Sequence, residues 1–268
     1  MRVLRKTVVL GALFCAAGIV QAADTKEVHR TVALDKTGRV SIETYKGSVN
    51  VSTWDRPEVK IDAVIEPDWS DADRDSDQRE KVAATEIRIS GSGSSVSVQS
   101  DYDPVRRIHH HLFSIFEGFG TLPFVRYTIQ MPATARLEIE DHKSDIVVAG
   151  LKADLRLHTY KGTGRVTGLD GAARVETYKG DVRVEFARYS QPSRFETHKG
   201  EIEVRLPKDS HFELDADGTR RGDIQSDFEM TTTHRGHFRS LRATGAVNGG
   251  GPTLHMTTYK GTLRVKAT

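Results

Sequence analysis

The sequence predicts an all-β chain whose main part is a single-stranded parallel β-solenoid, and three observations lead to that prediction. A short phrase recurs, with its clearest copies at residues 43–47, 176–180 and 196–200. Apolar and polar residues alternate on both sides of each phrase, which is typical of half-buried strands. From Ser144 to Gly222 successive phrases end 18 to 22 residues apart. A period near 20 residues indicates stacked coils of about 18 to 20 residues that share one core.

Each phrase is predicted to be a strand, a tight turn and a second strand. The Gly that ends the phrase is expected to supply a backbone conformation that a residue with a Cβ resists. The Thr three positions earlier, as in Thr159, Thr177 and Thr197, has the parity of the core and is expected to bond buried turn amides. In one copy Asp141 and Ser144 replace Thr and Gly, so we expect that turn to differ.

Independent β-hairpins would produce the same alternation. Stacked coils are favoured because the same residue types recur at the same turn positions, and stacking places each position over its counterpart. Further copies of the phrase lie at residues 140–144, 158–162, 218–222, 232–236 and 257–261. With the coils stacked in chain order, the last strand, residues 263–266, would form an open edge. Homo-oligomerisation through this C-terminal edge is therefore expected.

The chain divides into a signal peptide at residues 1–22, a β-rich capping region at 23–135 and tandem coils at 136–268. The capping region contains the first coil and one short helix at about residues 78–84. An insertion at 104–123 carries three adjacent histidines, 109–111. These are read as a loop, with metal binding as the alternative. The acids at 71–75 lack the glycine and the distal glutamate of a calcium loop, so no metal site is predicted.

The N-terminus has the features of a secretory signal. Three cations precede an apolar run at residues 7–20, and cleavage is expected after Ala22. The alternative, an uncleaved membrane anchor, is disfavoured because a span needs ~20 apolar residues. Cleavage leaves 36 Lys and Arg against 37 Asp and Glu, a net charge of −1, and removes the sole Cys15. We therefore expect an exported protein of the periplasm or cell surface that has no membrane span and no affinity for nucleic acid.

The strongest candidate site is a ridge formed by the turns. In each phrase a cation precedes the Gly, and a Tyr or His usually precedes the cation. Stacking would produce a row of cations beside a row of rings, suited to an acidic polysaccharide or an envelope protein. Alternatively the lysines are solvated turn residues, offset by Glu176, Asp181, Glu196 and Glu201. The candidate binding residues are Tyr160, Lys161, Tyr178, Lys179, His198, Lys199, Tyr259 and Lys260.

Glutamates also recur within the phrase, at Glu43, Glu140, Glu176 and Glu196. A catalytic pair should be unique and lie in a cleft, whereas a repeated row indicates cross-strand charge pairing. No enzymatic activity, catalytic residue or cofactor is therefore predicted. The alternatives are a glycan-cleaving β-helix enzyme and a purely structural element that assembles end to end.

These features resemble the bacterial putative-adhesin family, a domain of unknown function. The resemblance covers residues 28–268 and lies in an early Val40-x-Ile42-x-Thr44-x-x-Gly47 coil, a Pro132-led strand and tandem Thr-x-x-Gly coils. It implies a right-handed β-solenoid exported to the cell envelope, without established catalytic residues. Ser144 and the 104–123 insertion depart from the family pattern. The function expected is that of a non-enzymatic, adhesin-like binding or scaffold module.

Overall fold

The computed structural model describes residues 18–22, 24–70, 75–109, 121–219, 221–235 and 240–268. Two short helices, α1 (Asp75–Ala84) and α2 (Asp103–His109), interrupt strands and turns in these ranges, so the predicted all-β class is confirmed. The strands in chain order are β1 (Gly18–Ala22), β2 (Thr25–Trp54), β3 (Glu58–Glu66), β4 (Glu86–Asp101), β5 (Phe124–Pro132), β6 (Arg136–Ala149), β7 (Leu155–Thr159), β8 (Thr163–Leu169), β9 (Ala173–Thr177), β10 (Val182–Phe186), β11 (Ser193–Thr197), β12 (Glu201–Leu206), β13 (Phe212–Gly218), β14 (Asp223–Ser226), β15 (Thr231–Arg235), β16 (Ser240–Val247), β17 (Thr253–Thr258) and β18 (Thr262–Ala267).

The coils form two parallel ladders that enclose one core. Strands that precede the turns pair in the order β4, β2, β6, β7, β9, β11, β17, β13. Strands that follow the turns pair in the order β5, β2, β6, β8, β10, β12, β18, β14. Alternate residues of each strand, such as Val175 and Val184, point inward and are fully buried. This burial stabilises a fold in which no single coil could form a core alone.

Stacking of like residues is confirmed by the register. Thr159 pairs with Thr177, Thr177 with Thr197, and Thr197 with Thr258. Backbone amides continue the ladder through the turns, because each turn donates hydrogen bonds to the carbonyls of the turn beside it. Independent hairpins would not give this register, so the alternative is wrong for these coils.

A purely parallel solenoid is not what the structure shows. At one end β1, β2, β3 and β5 pair antiparallel in succession, and at the other β13, β16 and β15 do so. The phrase at 232–236 is therefore not a coil, because β15 forms an antiparallel pair with β16. The sheet is mixed, with parallel coils in its middle.

The coils do not stack in chain order, and the predicted C-terminal edge is wrong. Strand β17 lies between β11 and β13, and β18 lies between β12 and β14. After β14 the chain leaves the stack through β15 and β16, then returns at Asn248, Gly249 and Gly250, which all have positive φ. Residues 263–265 are thus paired on both sides, and Lys266 is paired with β12. An oligomer through this edge loses its structural basis, and the oligomeric state remains a prediction.

The N-terminal part is built on one long strand. Strand β2 continues through residues 35–38, with a register shift between Leu34 and Arg39. The predicted helix is confirmed as α1. Helix α2 was not expected. Its first turn contains Asp103 and Pro104, and proline is well suited to the start of a helix. The Asp103 amide donates a hydrogen bond to Asp101 Oδ1 at 3.0 Å. Of the three histidines, 110 and 111 lie outside the described residues.

Strand β1 belongs to the predicted signal peptide and pairs antiparallel with the start of β2. Cleavage after Ala22 would remove this strand, and that cleavage remains a prediction. Neither helix in the described part of the chain is long and apolar enough to cross a bilayer.

Candidate functional site

The turn of each central coil is held by a Thr hydroxyl, as predicted. Thr159 Oγ1 accepts the Gly162 amide at 3.0 Å, and Thr177 Oγ1 accepts the Gly180 amide at 2.9 Å. The equivalent bonds at Gly200 and Gly261 measure 3.0 and 2.8 Å. These threonines are buried, so each bond satisfies an amide that water cannot reach. The repeated Thr therefore fixes the turn that presents the ridge.

The Gly of the phrase is required for a different reason from the one predicted. Of the phrase glycines, Gly47 has a positive φ, whereas Gly162, Gly180 and Gly200 do not. A Cβ on Gly180 would lie 1.8 Å from the carbonyl oxygen of Gly162, and one on Gly200 would lie 1.9 Å from that of Gly180. The Gly is therefore needed for the close approach of stacked turns rather than for a left-handed backbone.

The copy with Asp141 and Ser144 differs in detail, as expected. Strand β6 runs through it without a break, in register with β2, so Ser144 pairs with Gly47. The Asp141 carboxylate accepts the Ser144 amide at 2.9 Å and the Thr159 hydroxyl at 2.7 Å. Asp141 thus replaces Thr in its own turn and also bonds the Thr of the next coil.

The rings of the ridge form one continuous stack. In spatial order it comprises Tyr45, His142, Tyr160, Tyr178, His198 and Tyr259. Successive ring centroids lie 4.4, 4.9, 4.9, 4.6 and 4.7 Å apart, and interplanar angles are between 4° and 22°. Tyr259 stacks directly on His198 because β17 lies beside β11. The structure therefore brings all four predicted aromatic positions into one row.

This stacking changes what the rings can do. Both faces of His142, Tyr160, Tyr178 and His198 are covered by neighbouring rings, so a sugar cannot lie on them. The expectation that these rings stack on sugars is wrong for the interior of the row. Their margins remain accessible, with 37% of Tyr160 exposed, and a phenol hydroxyl can donate or accept a hydrogen bond there.

The lysines beside the rings form a second row. Lys143, Lys161, Lys179, Lys199 and Lys260 are all exposed and follow one another in adjacent coils. The Nζ atoms of Lys161, Lys179 and Lys260 lie 5.5, 5.6 and 5.5 Å from the centroids of the preceding tyrosine rings. These cation–π contacts hold the charges near the rings. We call the two rows together the turn ridge.

The acids expected to offset these lysines are bound elsewhere. Glu176 pairs with Arg174 at 2.7 Å, Glu196 with Arg194 at 3.0 Å, and Glu201 with Arg264 at 3.0 Å. Asp181 accepts the backbone amide of Glu201 at 2.8 Å. Among the described residues, no ion pair involves any of the five exposed lysines of the turn ridge. Their charges therefore remain available to an external anion.

The row of exposed cations begins at Lys143. The preceding cation, Lys46, is mostly buried, pairs with Asp68 and lies 4.2 Å from the Phe124 ring centroid. Beside it is a cavity of about 430 Å³. Its lining residues are Tyr45, Lys46, Arg106, Thr121, Leu122, His142, Lys143 and Lys161.

Burial between the rings of Tyr45 and Tyr160 lowers the pKa of His142 below the usual 6.5. Burial is the main cause, Asp141 opposes it, and Lys161 and Lys143 add to it. The unfolded chain therefore binds more protons at this residue, and its contribution to stability is lost as pH falls through 6.5 towards the lower native pKa.

We expect His142→Phe, which keeps a ring in the stack, to weaken the loss of thermal stability between about pH 7.5 and pH 5. The measurement is Tm at both pH values for the wild type and the variant. His29→Gln is the control. Asp62 and Glu27 raise the pKa of His29, so this substitution should change the pH dependence of Tm in the opposite sense. An identical pH dependence in wild type and His142→Phe would contradict the assignment.

A second row of basic residues was not predicted as a site from the sequence. Arg156, Arg174, Arg194 and His255 occupy the position six residues before the Gly and are neighbours in register. With Arg39 and Arg136 they line an open cavity of about 610 Å³. The recurrence of Arg six positions before the Gly was the signal that could have revealed this row. Unlike the ridge lysines, Arg174 and Arg194 are paired with glutamates on their own strands.

Comparisons with solved structures give low sequence identity. A putative cell adhesion protein from Clostridium sporogenes shares 12% identity with a TM-score of 0.48, over 91% of this chain and 100% of that chain. A putative adhesin from Bacteroides fragilis shares 11% identity with a TM-score of 0.38, over 90% and 97% of the two chains. None of the curated proteins compared with the chain matches it.

The family model described as Toastrack DUF4097 matches residues 23–265. The match covers strands β2 to β17 and most of β18, and it confirms the resemblance to a domain-of-unknown-function family. The chain belongs to the Toastrack DUF4097 family.

Proposed function

We propose that the protein is an exported, non-enzymatic, adhesin-like binding module and that its turn ridge binds an anionic glycan. The observation that supports this proposal is the row of exposed lysines without intramolecular ion pairs in the described parts of the chain. The fold positions Lys161, Lys179, Lys199 and Lys260 through the same Thr and Gly contacts, and Lys143 through the equivalent contact of Asp141 with Ser144.

Electrostatics favour an external anion on this surface. Ammonium groups one strand spacing apart repel one another by about 1 kcal/mol in water. Of the acids close to the ridge, Glu176, Glu196 and Glu201 are paired with arginines, and Asp181 accepts a backbone amide. A bound polyanion would relieve the repulsion along the whole row, and its affinity should fall as salt screens the exposed charges.

The enzymatic alternative gains no support from the repeated glutamates. Glu176 and Glu196 are tied to arginines on their own strands, and Glu43 accepts from Gln99 at 3.1 Å. The three repeat the same structural position rather than forming a pair with distinct environments, which general acid and base chemistry requires. The end-to-end assembly alternative relied on the C-terminal edge, of which residues 263–265 are paired on both sides.

The test is a charge reversal on the ridge. The triple variant Lys161→Glu, Lys179→Glu, Lys199→Glu should bind acidic polysaccharides about a hundredfold more weakly than the wild type, because three attractive contacts become repulsive. Binding is measured by calorimetry at low and at physiological salt. The matched control changes Lys152, Arg165 and Lys208, which are exposed and lie off the ridge, to Glu.

Both variants have the same net charge, so a general electrostatic attraction would weaken equally in the two. The proposal requires near-wild-type affinity in the control and an unchanged Tm in both. If the ridge variant keeps its affinity for every acidic glycan that the wild type binds, the ridge is not the site.

A further inference from the structure

The cations of the turn ridge repeat at one constant interval. The amides of Lys161, Lys179, Lys199 and Lys260 each donate to the carbonyl of the ring residue one coil away, at 2.8 to 2.9 Å. The ring centroids beside them lie 4.4 to 4.9 Å apart. The ridge therefore carries one positive charge per strand spacing along the solenoid axis.

We propose that the turn ridge binds a linear homopolymeric polyuronate, laid along the solenoid axis with one sugar over each coil. This inference rests on the proposed function and specifies its ligand. A 1,4-linked chain of uronic acids carries one carboxylate on every sugar and advances by close to one strand spacing per sugar. Successive carboxylates point in different directions around the polymer axis, and the flexible lysine side chains of consecutive coils can reach around the polymer to form charge-assisted pairs with them.

Other polyanions match the ridge less well. A polymer with an acid on every second sugar would leave every second lysine without a partner. Polyphosphate carries its charges more densely than one per strand spacing, so its phosphates would outnumber the lysines they face. Because the ring faces are covered, recognition cannot depend on sugar stacking and must depend on charge spacing and on hydrogen bonds to ring margins such as that of Tyr160.

The length of the site follows from its ends. Lys46 is occupied by Asp68 and Phe124, so the row starts at Lys143. It runs through Lys260 to Arg221, whose amide approaches the Tyr259 carbonyl at 3.5 Å. The spatial order at this end is Lys199, Lys260, Arg221, which differs from the chain order because β17 lies between β11 and β13.

This order permits a test with two variants of equal charge. In Lys161→Gln/Lys179→Gln, three consecutive cations remain at Lys199, Lys260 and Arg221. In Lys179→Gln/Lys260→Gln, no three consecutive cations remain anywhere in the row. The probe is the unsubstituted 1,4-linked trimer of galacturonate, with binding measured by calorimetry at low salt.

We expect the first variant to bind the trimer about fourfold more weakly than the wild type, since one of the four positions with three consecutive cations remains. The second should bind about tenfold more weakly or worse, since at least one carboxylate then faces no cation. In the wild type, affinity should rise with each added uronate up to about five or six and then level off.

Each of the other possible outcomes refutes a specific part of the proposal. Equal weakening in the two variants would mean a diffuse attraction or a ligand lying across the ridge, and would refute the axial arrangement while leaving glycan binding intact. Binding of tripolyphosphate with the contrast between variants, and none of the galacturonate trimer, would refute the uronate assignment. A wild type that binds no acidic glycan of any length would refute both this inference and the proposed function.

Discussion

Removal of residues 252–268 is expected to unfold the C-terminal third of the coils. These residues form β17 and β18, and Leu254, Met256, Leu263 and Val265 are fully buried. Burial of each such side chain contributes about 1.5–3 kcal/mol, and the sum is comparable with the whole stability of a domain. Strands β13 and β14 would also lose their parallel partners. Among the described strands β13 would then pair with β16 alone, and β14 would have no paired strand.

The measurement is limited proteolysis with mass spectrometry. In the truncated chain residues 212–247 should be cleaved rapidly, while the coils up to Leu206 remain protected but associate through the newly open edges of β11 and β12. A synthetic peptide of residues 252–268 added in trans is the control and should restore protection. If the truncated chain had the same proteolysis pattern and Tm as the wild type, the position of the last coil between β11 and β13 would be contradicted.

Gly180→Ala is expected to reduce the free energy of unfolding by about 3–5 kcal/mol, at the upper end of single-residue effects. The added Cβ would lie 1.8 Å from the Gly162 carbonyl oxygen, so adjacent turns must separate. Separation weakens the Lys179 amide bond to the Tyr160 carbonyl, now 2.9 Å, and the contact of Tyr160 with Tyr178. The decrease in Tm, roughly 6–15 °C, is measured by calorimetry.

Gly249→Ala is the matched control. Gly249 has a φ of +89°, but a Cβ there meets no atom within 4 Å. It should therefore cost only the strain of a left-handed residue, about 1–2 kcal/mol. Equal effects at Gly180 and Gly249 would contradict close approach as the reason for the phrase glycine.

The register of the coils was predictable because stacking repeats residue types at fixed turn positions. Thr177 and Thr197 share a role, and their spacing in the sequence reveals it. The stacking of the rings was also implied, since aromatic residues in register on adjacent strands lie one strand spacing apart. The consequence of this stacking, which is that the rings cover each other's faces, was not predicted from the sequence.

The order of the coils could not be predicted in the same way. Periodicity indicates that units stack, but the edges of β11 and β12 accept any coil with the same pattern. The coil that ends at Gly261 and the coil that ends at Gly222 present similar surfaces, so chain order was the default. The phrase at 232–236 was misread because its threonines also fit an antiparallel strand, β15.

The interposed last coil also constrains the route by which the chain can fold. A chain delivered from its N-terminus can add β2 to β12 one coil at a time, because each new coil meets a finished neighbour. Strands β13 and β14 have no finished neighbour when they emerge, and they must wait for the final residues to arrive. We therefore expect the coils to fold one after another, followed by a single late step in which β17 and β18 pair with β11 and β12 on one side and with β13 and β14 on the other.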